Sequence, residues 1–197
     1  MAYATSADGT AIAYHTVGKG EPIVIVGGAF STADAATPLA EALAAAGLQG
    51  VTLDRRARGS SGDTQPYAPQ REAEDLAAVI AAVGGEASVL GHSSGAMLAL
   101  FAAANGVPVK HLFLSEPPFL FGEGGPGDDF PERLQALLDV GRPEEVVTTS
   151  SARRSACVRR SSIRSGAAPC FRRWSRWRSR SSMTRPSAAR YRRRRPR

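Results

Sequence analysis

The chain has 197 residues and a formal net charge of +7, but the charge is unevenly placed: residues 1–150 hold all 18 acidic residues and eight of the 25 Lys and Arg, and residues 151–197 hold the other 17, all Arg. No apolar run approaches the ~20 residues of a membrane-spanning helix, and Met1-Ala2-Tyr3-Ala4-Thr5-Ser6 has neither the basic start nor the apolar centre of a secretory signal, so a cytoplasmic protein is expected. The two cysteines, Cys157 and Cys170, lack neighbouring histidines and are too few for a disulfide framework or a zinc site, so neither metal nor cofactor is expected.

Residues 10–16 alternate like a half-buried strand, and Gly18-Lys19-Gly20 turns the chain. Pro22-Ile23-Val24-Ile25-Val26 is a continuous apolar run, as in a strand buried on both faces, and ends at Gly27-Gly28-Ala29-Phe30. Residues 35–46 are Ala-rich, with Leu39 and Leu43 one helical turn apart and Gly47 as a stop. Val51-Thr52-Leu53 forms the next strand, and residues 54–63 form a polar, Gly-punctuated loop. Pro69 opens a helix whose apolar stripe is Leu76, Val79, Ile80 and Val83, closed by Gly84-Gly85. A strand over 87–90, a helix from 94 to about 104 and a strand over 111–115 follow, then short helices over 129–139 and 143–149. This alternation predicts an α/β fold, with a mostly parallel sheet and helices on both faces. Residues 151–197 are rich in Arg, Ser, Ala and Pro and show no apolar period, which predicts a disordered basic tail: too little apolar surface is available to offset ordering entropy.

Between the strand at 87–90 and the next helix lies Gly91-His92-Ser93-Ser94-Gly95. Strand, sharp turn and helix are the setting in which G-x-S-x-G makes a nucleophile elbow, with small residues flanking a serine raised at the end of the sheet. The string alone is weak evidence in a chain with 20 Gly; the setting gives it weight.

Four stretches, in order, resemble the α/β-hydrolase fold superfamily in its Ser-nucleophile branch. They are Asp8-Gly9-Thr10, Val26-Gly27-Gly28-Ala29, Asp54-Arg55-Arg56-Ala57-Arg58-Gly59-Ser60-Ser61-Gly62 and the elbow. With Glu116-Pro117-Pro118-Phe119 and the helices at 129–149, which resemble the start of a cap region, the likeness covers about three quarters of the chain. Gly27 stands where relatives commonly carry His. The resemblance implies acyl transfer to a small-molecule acyl substrate: Ser93 as nucleophile, the backbone N–H groups of Ala29 and Ser94 as the oxyanion hole, and no membrane partner. A minority of relatives place the acidic triad member where Glu116 stands, so Glu116 is the candidate acid against a plain structural role.

Other residues invite blander readings. His92 adjoins the serine, and neighbouring elbow side chains point apart, so a packing role is expected. His15 on its strand is expected to be structural. Asp54 and Arg58 are expected to tie their loop by hydrogen bonds. A serine nucleophile needs a His as base, in the chain order Ser, acid, His. After Ser93 the only His is His111, at the start of a strand and so at the end opposite the elbow; no Asp, Glu or His follows Glu145. The domain reading is therefore a partial hydrolase domain over 1–150, with the cap beginning at 129–149, and sequence truncated or out of frame after about residue 150. Two further functions remain open: non-specific nucleic-acid or polyanion binding through the tail, where Phe171, Trp174 and Trp177 interleave with Arg, and a non-catalytic hydrolase-like binding protein.

Overall fold

Apolar runs separated by turn residues fold the first part of the chain around a six-stranded sheet. The computed structural model describes residues 1–119, 127 and 129–150, so the expected disorder of 151–197 lies outside the described residues. The strands are β1 (Ala2–Thr5), β2 (Ala11–Gly18), β3 (Pro22–Val26), β4 (Gln49–Leu53), β5 (Ala87–His92) and β6 (Val109–Ser115). Their order is β1-β2-β4-β3-β5-β6. β1 pairs with β2 and β2 with β4 antiparallel; β4, β3, β5 and β6 run parallel. The mostly parallel sheet is thus as expected. Strand β1 was not foreseen: Ala2-Tyr3-Ala4-Thr5 is too short and too weakly alternating to signal itself, and it forms by pairing with β2.

Helices α1 (Thr37–Ala45), α2 (Pro69–Ala82) and α3 (Ser94–Ala104) cover the sheet. Side chains alternate across a strand. Val24, Val26, Val51, Leu53 and Val89 form one buried cluster with Leu76, Val79 and Ile80 of α2 and Leu98, Ala99 and Ala102 of α3. Residues of opposite parity face α1, where a side-chain carbon at Gly50 would come within 2.6 Å of the Ala40 backbone. Helices therefore lie on both faces. Each large side chain buried this way contributes about 1.5–3 kcal/mol.

The glycines read as helix stops act as such. At the end of α2, Gly84 and Gly85 both have positive φ, and their N–H groups reach the Ala81 and Ile80 carbonyls. That paired bond pattern satisfies carbonyls a helix end leaves orphaned. α1 and α3 close in the same way through Gly47 and Gly106.

The chain divides into two compact units, Met1–Phe121 and Gly122–Arg197. In the second, α4 (Phe130–Asp139) is followed by a helix over 143–150, close to the two predicted short helices.

Candidate active site

Strand order places the site. From β3 the chain goes to β4 on one side, and β5 then lies on β3's other side. In a parallel sheet such a switch opens a crevice at the carboxyl ends of the two diverging strands. The loop Gly27-Gly28-Ala29 leaves β3 there, and Ser93 leaves β5 there.

Ser93 is buried, with φ 53° and ψ −121°, a conformation costly for any residue with a side chain. Its N–H donates to the Ser115 carbonyl at 2.9 Å. It stands at the N-cap of α3, yet its side chain makes no capping bond, unlike most N-cap serines. The flanking glycines are required by space. A Cβ at Gly91 would lie 2.5 Å from Gly95 O and from Ala96 Cα, and one at Gly95 would collide with the carbonyls of Val26 and Gly27. The backbone of Gly28 passes directly against the serine: a Cβ there would be 3.1 Å from Ser93 Cβ and 3.3 Å from His92 O.

The structure therefore brings Ser93, Ser94 and the loop holding Ala29 to one end of the sheet. Glu116 lies there too: it follows Ser115, which is paired with His92, and it is exposed with φ 49°. Of the histidines only His92 lies at this end, its Cδ2 3.6 Å from where a Cβ on Gly28 would stand; the other two are placed elsewhere. His92 is exposed, and its Nδ1 lies 3.2 Å from Ser115 Oγ. His111 Nδ1 lies 3.2 Å from Ser88 Oγ. Ser88 precedes Ser93 by five residues of strand, about 16 Å. His15 pairs with Thr52 within the sheet.

The loop after β4 braces the site more extensively than its sequence suggested. Asp54 accepts from Ala33 N at 2.7 Å and Ser60 N at 2.9 Å. Arg58 Nη1 donates to the Gly28 carbonyl at 2.8 Å. Arg55 is buried and forked onto Glu72 of α2, with Nε to Oε2 at 2.5 Å and Nη2 to Oε1 at 2.6 Å. Its Nη1 lies 3.2 Å from Ser94 Oγ and 3.5 Å from Gly27 O. The Tyr67 hydroxyl donates to Glu72 at 2.9 Å. Burial works to raise the Glu72 pKa, but the hydrogen bonds and charge of Arg55, with Tyr67, hold it below the ordinary carboxylate value. Arg56 is forked onto Asp75 at 2.7 Å and reaches Asp8 at 3.0 Å. Sequence reading missed Arg55, Glu72 and Tyr67. The available signal was three arginines in one loop facing acids three residues apart on α2, one helical face. Among the described residues no cluster of His, Cys, Asp or Glu could hold a metal ion, and no helix is long and apolar enough to cross a membrane.

Comparison with known proteins agrees with this fold. The profile of the alpha/beta hydrolase family matches residues 23–197, and the chain belongs to that family. It is 50% identical to an alpha/beta hydrolase from Sphaerobacter thermophilus of known structure, with a TM-score of 0.70, over 75% of this chain and 58% of that one. It is 35% identical over 146 residues to N-formylmaleamate deformylase of Pseudomonas putida, covering 72% of this chain and 53% of the relative. An epoxide hydrolase from an endophytic Streptomyces is 26% identical, with a TM-score of 0.58, over 66% of this chain and 41% of that one. The chain thus spans somewhat over half the length of the first two relatives.

Proposed function

We propose that this chain is a serine hydrolase scaffold acting on a small acyl substrate, with Ser93 as nucleophile and the N–H groups of Ala29 and Ser94 as oxyanion donors. The observation that carries the reading is the strained, non-capping Ser93 held against the Gly28 backbone at the carboxyl end of the sheet. The helix that begins at Ser94 adds its positive end to the same spot. Ser94 N–H and Ala29 N–H would stabilise the oxyanion that forms as the Ser93 oxygen adds to a carbonyl; losing either donor costs about 3 kcal/mol of transition-state stabilisation. The relationship to N-formylmaleamate deformylase favours a small amide or ester over a polymer.

Turnover is a separate matter. Ser93 must pass its proton to a base, and the one His after it in the chain, His111, lies near Ser88. Loss of the base alone lowers turnover by a factor on the order of 10⁶. A scaffold with Ser93 and the oxyanion donors but no such base would accept an acyl group slowly and turn over little. Glu116 is the candidate orienting acid on its position alone.

The test is covalent labelling of the full chain by an alkyl fluorophosphonate, read by mass spectrometry. Slow labelling confined to Ser93 and abolished in Ser93→Ala is expected. Labelling of other serines, or none in a chain shown by circular dichroism to be folded, would remove Ser93 as nucleophile and leave the non-catalytic binding reading.

A further inference from the structure

The loop after β4 carries three arginines, and two are neutralised. Arg55 is forked onto Glu72; Arg56 is forked onto Asp75 and reaches Asp8. Arg58 is different. Among the described residues it makes no ion pair, and its Nη1 donates only to the Gly28 carbonyl. It is half-buried. Burial, and then the neighbouring charge of Arg55, push its pKa below the ordinary value. Glu72 and Tyr67 act in the opposite sense, but the Glu72 oxygens are already engaged, Oε2 by Arg55 and Oε1 by Arg55 and Tyr67. A partly desolvated cation beside a second cation is unfavourable until an anion joins it. Most donors of its planar fork remain for that anion, and the fork matches a carboxylate. Its location is the site itself, because Gly28, which it holds, is the residue packed against Ser93.

We propose that Arg58 is the carboxylate-binding group of this site, so that the substrate is an anionic acyl compound with its carboxylate a few bonds from the carbonyl offered to Ser93. This rests on the Ser93 reading only for what the carboxylate is attached to; anion binding by Arg58 stands or falls separately. Calorimetric titration of the full chain with succinamate and with its neutral analogue succinamide tests it. Succinamate should bind at least about tenfold more tightly than succinamide, and Arg58→Gln should remove that preference. Arg58→Lys, which keeps the charge and loses the fork, should retain part of it. Equal binding of the two ligands to the wild-type chain overturns the proposal. So does a preference undiminished in Arg58→Gln, the result expected if the arginines of 151–197 hold the anion. Should Arg58→Gln fail to fold by circular dichroism, Arg58→Lys decides: affinity for succinamate equal to wild type overturns the proposal. A chain that prefers succinamate through Arg58 while Ser93 resists the phosphonate keeps the anion site and loses the nucleophile. Labelling at Ser93 with indifference to the carboxylate does the reverse.

Discussion

Single side chains, or their absence, set the geometry at Ser93. The backbone there is held at positive φ, and strain of this kind costs on the order of 1–3 kcal/mol and persists only where surroundings enforce it. The enforcing contacts are the Ser115 carbonyl and the close approach of Gly95 to β3. Gly95→Ala would drive a methyl into the Val26 and Gly27 carbonyls. A loss of about 3 kcal/mol in a urea unfolding measurement is expected, together with loss of phosphonate labelling. An unchanged unfolding midpoint would mean that this contact is not tight. Gly91 and Gly95 were legible because G-x-S-x-G has a known physical setting. Arg58 was legible only as a loop tie; that it has no acid partner among the described residues emerges when Glu72 and Asp75 are seen to be taken by Arg55 and Arg56.

Between elements, the brace from the β4 loop to α2 is the main polar feature. Arg55 and Glu72 are both buried, at 9% and 5% exposure. Removing one partner leaves the other charged and desolvated, so Glu72→Ala should cost about 3 kcal/mol or more in the same unfolding measurement. A loss below about 1 kcal/mol would show that Arg55 finds water instead. The pair also sets an acid limit. Glu72 titrates below its ordinary value when folded, as does Asp8, held down by Thr10 and Arg56. Folded-state pKa values below the unfolded ones give stability that is complete above the ordinary carboxylate range and lost as pH falls through the depressed values. Thermal melts should therefore be flat from neutral pH down to about 5 and fall steeply below about 4. A Glu72→Ala chain should show a shallower fall, and parallel curves would refute the assignment. Helix ends were readable beforehand from Gly47 and Gly84-Gly85, since a glycine stop is a local signal. The ion pairs were not, because they join residues 17 or more positions apart.

The whole molecule is uneven in charge and in cover. Among the described residues β6 pairs only with β5, and its Phe113 and Leu114 are 50% and 38% exposed. An exposed apolar edge strand invites pairing with other chains. The 17 arginines of residues 151–197 should also bind polyanions whatever the fold does. Retention on immobilised duplex DNA at low salt, eluting sharply as salt rises and without sequence preference, is expected. Retention that resists salt, or that depends on sequence, would call for a specific interface instead.

By itself the sequence determined the alternating elements, the glycine stops, the turn at Ser93 and the family resemblance. Each is written in neighbouring residues, through side-chain period, backbone freedom or the small space a turn allows. Only tertiary structure decided that β1 is a strand, that Gly28 lies against Ser93 and, among the described residues, which arginines have acids. Those facts depend on strand order and helix docking, which bring together residues that no local pattern connects.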